Sequence, residues 1–131
     1  MSTIPPLFEG KPLHSDNFIV NFKAGGTISI GNAVKLSAAW TVVATNAATD
    51  QLLGIALTNA ASGEPVAVLC RGVIDAVASG AISAGSYIGA STSGKVATLT
   101  VANAYSNGLV IKGIALSAAS QDGDTIQVLL W

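Results

Sequence analysis

The chain has 131 residues, a net charge of −1 at neutral pH, one histidine and one cysteine, which bounds it to a single small domain with at most an arm and leaves no internal disulfide. Charged residues make up 10% of the chain and hydrophobic ones 50%, a balance that excludes disorder throughout, while the net charge and the singly scattered basic residues argue against a nucleic-acid surface. Alanine, glycine and serine fill 49 of the positions, so the apolar content comes mostly from small side chains, and a charge-poor exterior of this kind points to a surface covered by assembly.

Three of the four prolines, all three phenylalanines and the histidine fall within the first 22 residues. Residues 1–16 therefore read as an extended N-terminal arm, with Pro5, Pro6 and Pro12 favouring extended geometry and Ile4, Leu7, Phe8 and Leu13 as apolar anchors. The same prolines interrupt any basic-then-apolar leader, so no secretion signal is expected, and a lone unpaired thiol fits synthesis in the cytoplasm. From Asn17 to Lys23 the letters alternate, with Phe18, Val20 and Phe22 on one face, which predicts a strand of the body rather than of the arm. The body is expected over 17–131.

That body carries a duplication. GTISIGNAVKLS at 26–37 matches GAISAGSYIGAS at 80–91, GIAL at 54–57 recurs at 113–116, and GEPVAVL at 63–69 corresponds to GDTIQVL at 123–129. The offset grows from 54 to 60 residues, so the second copy holds about six more, most simply placed within 99–111. The pseudo-repeats run over about 26–72 and 80–131, too few units for a solenoid. Two copies suit a pseudo-symmetric barrel or sandwich whose halves complete one another's core.

In chain order the short apolar runs TVVA, LGIAL, PVAVLC, VIDAV, KVATLTV and TIQVLL, separated by turn residues, predict an all-β fold without sustained helical periodicity. Gly31 and Gly85 occupy matching turn positions that need positive φ. Asp122-Gly123 reads as a further turn. Gly54 and Gly113 sit inside strands, where a bulge or a close backbone crossing uses glycine. The uncharged stretch Ala76–Gly94 holds four glycines and five serines and does not read as a membrane span.

Chemistry is sparse. GASTSGKV at 89–96 has the glycine and lysine spacing of a phosphate-binding loop, but Val96 stands where a magnesium-binding serine or threonine belongs, and the β-branched letters that follow predict a hairpin at Gly94-Lys95 rather than a helix. His14 lies in the arm, away from any nucleophile. Cys70 ends an apolar run without a metal-ligand pattern, Asp122 and Asp124 are explained by turn formation before calcium, and Arg71 and Asp75 read as a surface ion pair. No catalytic residue, metal or cofactor is expected. Trp40 and Trp131 are either core or oligomer contacts, Trp131 capping the open end of the barrel or lying between subunits.

The runs FKAGGTISIGNAVKL, VVATNAATDQLLGIALTNAASGEPVAVLCRGVIDA and SGAISAGSYIGAS with GKV resemble the capsid decoration (cement) proteins of tailed bacteriophages, over residues 22–131. That family is sometimes mislabelled a RecA/RadA-like recombinase, a label that the residues here do not support. The resemblance implies a non-enzymatic body, a small β-barrel or β-tulip, bound as a homotrimer to the outer capsid surface of the virion, at threefold and quasi-threefold positions. It also implies an arm laid over neighbouring shell subunits. The expected partners are then the major capsid protein and further copies of the chain, with no nucleic acid and no membrane. Ile4, Leu7, Phe8, Leu13, Phe18 and Phe22 are the candidate shell contacts. A second reading is a head-surface carbohydrate-binding module with Trp40, Tyr87 and Tyr105 as its platform; a third, a nucleotide-binding protein, would rest on Gly89–Val96.

Overall fold

The computed structural model describes residues 17–131; the expected arm, with Ile4, Leu7, Phe8 and Leu13, lies outside the described residues. The described chain is mostly strand, in the order β1 (Phe18–Ala24), β2 (Ala33–Ala38), β3 (Thr41–Ala44), β4 (Gly54–Ala56), β5 (Pro65–Val77), β6 (Tyr87–Ala90), β7 (Val96–Thr98), β8 (Gly113–Ala115) and β9 (Thr125–Leu130). One short helix, α1 (Val101–Asn107), interrupts them.

The first half closes on itself: β1, β3, β2, β4 and β5 pair in that order, and β1 pairs again with β5 to complete a five-stranded barrel. The second half repeats the arrangement with β5, β9, β8, β6 and β7. Its ring is completed by the parallel bridge Ala78↔Val96, the counterpart of the parallel pair Ala24↔Val42 in the first. Other contacts recur in register, Val34↔Gly54 as Ile88↔Gly113 and Ile28↔Ala60 as Ile82↔Ala119. The duplication in the sequence is thus a duplication of strand pairing.

Strand β5 serves both barrels. Its first part pairs with β1 and β4, and its second part with β9. The sequence reading separates PVAVLC from VIDAV; the structure runs them together as one strand of 13 residues. The change of barrel happens at Cys70–Gly72, where the β1 register slips past Cys70 and Gly72 takes φ +135°, a bulge that bends the strand and re-aims its side chains. Gly31 and Gly85 both adopt φ +89°, as their matched turns require.

The extra residues of the second half divide. Five lie between β7 and β8, where the register offset rises from 54 to 59, and one lies in the turn before β9, where Gly123 answers Gly63. The larger insertion folds as α1, a departure from the expectation of no helix. Thr100 caps it by accepting from the Asn103 amide, and Gly108 ends it in the left-handed region at φ +65°, the usual pair of start and stop devices.

Two apolar clusters fill the barrels. The first is built from Ala24, Ile28, Val34, Val42, Ala56, Ala60, Val66 and Val68. The second includes Ala76, Ile88, Val96, Ile126, Val128 and Leu130 together with three residues of the first half, Ala33, Leu52 and Ile55. The outer wall of barrel 1 therefore packs into the core of barrel 2. Each fully buried Leu or Ile contributes about 1.5–3 kcal/mol. Polar contacts reinforce the junction: Thr45 Oγ1 donates to the Ser91 carbonyl at 2.9 Å, and the Gly94 amide donates to the Thr45 carbonyl at 2.9 Å.

Candidate docking groove

Alternation along β1 places Phe18, Val20 and Phe22 on the face that carries Ala24 into the core of barrel 1. Toward the start of the strand this face emerges from the core, and the three side chains line an open groove of about 800 Å³. Leu36 of β2, Leu53 ahead of β4 and Cys70 of β5 extend the apolar lining; Arg71, Lys112 and Trp131 complete it. The groove is an apolar channel with two cationic side chains, and among the described residues no aspartate or glutamate side chain lines it.

Trp40 stands at the turn joining β2 to β3 and also lines the groove. It adopts φ +54°, a left-handed conformation that costs a residue with a Cβ about 1–2 kcal/mol. The matching position in the second half is Gly94, at φ +71°, which bears no such cost. Trp40 is nonetheless 67% exposed, its ring leaning on Phe22 with centroids 5.7 Å apart. A strained, exposed tryptophan makes this turn a candidate contact for a partner. Trp131 is 45% exposed, so the core reading fails for both tryptophans: the barrel interior is already filled by smaller aliphatic side chains.

The structure brings together residues that the sequence analysis assigned to two different contacts. Phe18 and Phe22, expected at the shell, and Trp40 and Trp131, expected between copies, share one groove. The expected sugar platform is not built there, since neither Tyr87 nor Tyr105 lines it. Cys70 and Lys112 were not singled out for this groove; only the barrel pairing reveals that they meet. Burial pushes the Cys70 thiol up, with the Lys112 ammonium pulling the other way without reversing it.

The segment resembling a phosphate loop is a hairpin. Ala90 pairs with Val96, a 3-10 turn covers Thr92–Gly94, and strand follows strand, without the helix N-terminus that holds phosphate in such loops. Its groups are engaged within the chain: the Gly94 amide on Thr45, the Lys95 amide on the Thr92 carbonyl, and Lys95 Nζ on Asp122 at 2.9 Å. Asp124 accepts from the amides of Ser120 and Gln121, closing the turn at Gly123. Arg71 and Asp75 do not form the expected ion pair; Asp75 accepts from Gln127 instead.

Among solved structures, the chain is similar to the head fiber gp8.5 N base in bacteriophage phi29, with a TM-score of 0.63 at 12% identity, covering 88% of this chain and 94% of that one. This is a likeness of fold. No curated protein matches the chain. The phage cement protein family matches residues 14–130, nearly the whole length, and the chain belongs to that family of structural proteins of the phage head.

Proposed function

We propose that the protein is a non-enzymatic capsid cement: it binds the outer surface of an expanded phage head and clamps neighbouring major capsid protein subunits. The observation that carries this reading is the family match along residues 14–130. It is supported by a surface poor in charge, on which Phe18, Trp40, Tyr105 and Val110 are exposed; apolar side chains of this size favour burial against a partner. In this reading residues 1–16 are the arm, and Ile4, Leu7, Phe8 and Leu13 are its anchors. The arm pairs its backbone with an exposed strand edge of the shell while alternate side chains enter pockets. Its prolines reduce the entropy lost on docking. Three copies at threefold and quasi-threefold positions make several weak contacts act together.

The test is deletion of residues 1–16, with folding checked by circular dichroism and binding by co-sedimentation with expanded, undecorated heads. A folded body that no longer sediments with heads supports the clamp. A folded body that binds as the full chain does removes the arm from the mechanism, and a body that unfolds makes the segment part of the barrel.

A further inference from the structure

The internal duplication gives each surface of barrel 1 a counterpart on barrel 2, and among the described residues one pair of counterparts is only half used. Ala33, Leu52 and Ile55 point outward from barrel 1 and are buried in the cluster of barrel 2, with Ala76 and Leu130 and with Ile74 packed against it. At the register of the repeat, the receiving residues Ile74, Ala76 and Leu130 correspond to Val20, Phe22 and Cys70 of barrel 1. All three of those line the open groove. The inserting residues Ala33, Leu52 and Ile55 correspond to Tyr87, Ile111 and Ile114 on the outer wall of barrel 2. Ala33 and Ile55 are fully buried, whereas Tyr87 is 41% exposed and Ile111 and Ile114 are half-buried. The turn contacts follow the same rule: Gly94 is buried against the Asn32 side chain, while its counterpart Trp40 is exposed.

We infer that the groove of barrel 1 is a docking site for a second copy of this chain, filled by the outer wall of barrel 2 around Tyr87, Ile111 and Ile114. The contact repeats between molecules the packing that joins the two barrels within one. Because the two faces differ, it is heterologous and head-to-tail, and it closes into a ring when the rotation allows. Three copies would carry six alternating barrels. This assigns Phe18 and Phe22 to the contact between copies rather than to the shell. The number three rests on the function proposed above, but the interface itself does not.

The test is sedimentation velocity of the full chain and of two variants, Trp40→Glu in the groove and Tyr87→Glu on the opposite wall. The wild type should assemble, and each variant, folded by circular dichroism, should sediment as a monomer, its association weakened by about 30-fold or more. An equimolar mixture of the two should form a dimer with one of each, since each retains one intact face. A monomeric wild type, a variant that assembles as the wild type does, or a mixture that stays monomeric overturns the inference. Should either variant misfold, Ile111→Cys replaces it: under mild oxidation its new thiol should cross-link to Cys70 of another copy, and failure to do so overturns the inference equally. Head binding is read separately. A monomeric wild type that still binds heads refutes this interface alone, while a wild-type ring that ignores heads refutes the cement reading alone.

Discussion

Replacing Gly54 by alanine tests the geometry that holds β4 against β5. A methyl group built on Gly54 falls on the backbone carbonyl oxygen of Leu69, with Val68 Cγ1 at 2.8 Å and the Leu69 carbonyl carbon at 3.1 Å. The carbonyl belongs to a strand paired with β4 through Ile55↔Leu69, so it moves away only by breaking that pairing. Overpacking of a buried site costs about 1–3 kcal/mol, and an immovable backbone neighbour places Gly54→Ala near 3 kcal/mol. At the counterpart Gly113 the methyl group meets the Leu129 carbonyl at 2.9 Å and two side-chain ends, Leu130 Cδ2 at 2.9 Å and Ile88 Cδ1 at 3.3 Å. Side-chain ends rotate away, so Gly113→Ala should cost about 1–2 kcal/mol. Gly26 has open space around it, and Gly26→Ala should stabilise by about 0.5 kcal/mol through the unfolded chain. At roughly 4 °C per kcal/mol for a domain of this size, the three should shift the melting temperature by about −12, −6 and +2 °C. Urea unfolding followed by tryptophan fluorescence, at one fixed protein concentration, measures the series. A Gly54→Ala cost below about 1 kcal/mol, or one smaller than that of Gly113→Ala, would refute the close-approach argument.

Thr45 is fully buried and its hydroxyl joins the barrels, so Thr45→Val should cost about 1–3 kcal/mol by leaving the Ser91 carbonyl without that donor; an unchanged urea midpoint would show that the contact contributes nothing. Burial raises the pKa of Asp50, but the amides of Asn46 and Ala47 and the Lys35 ammonium outweigh it and hold the carboxyl below its ordinary value, and the Ser120 amide and hydroxyl hold Asp124 below its own. Because both folded values lie below the unfolded ones, the stability they supply is fully present above about pH 5 and is lost as the pH falls below about 4 and through the folded values. An Asp50→Asn, Asp124→Asn double variant should flatten that acid decline, and an unaltered decline would assign it to other groups. Lys95→Ala should lose under about 1 kcal/mol with its exposed ion pair, and calorimetry of the wild type with ATP should give no binding heat; micromolar binding abolished by the substitution would restore the nucleotide reading.

The repeat made most of the fold legible. Matched strings at offsets of 54 to 60 residues mark which strands answer one another, and the paired glycines 31 and 85, and 54 and 113, mark the turns and close approaches. Strand β5 was hidden because Arg71-Gly72 reads as a break: a glycine inside an apolar run carries the same letters whether the chain turns or bulges and continues. Helix α1 was hidden because seven residues with only Ala104 buried give periodicity too little length, although Thr100 and Gly108 were capping signals in plain view. The groove was legible only in part. Alternation placed Phe18, Val20 and Phe22 on one face, but their meeting with Trp40, Cys70 and Trp131 depends on barrel closure between residues far apart in sequence, which local patterns do not encode. The asymmetry between Trp40 and Gly94 acquires meaning only when the two halves are superposed by their pairing.

The measurement that bears most directly on the cement reading is titration of the purified protein onto expanded, undecorated heads of its own phage, scoring the stoichiometry at saturation and the resistance of the heads to heat. Saturation in multiples of three per face, with heads that withstand higher temperature once decorated, is the predicted result. Folded protein that does not sediment with expanded heads, or that binds without raising their thermal resistance, would contradict it.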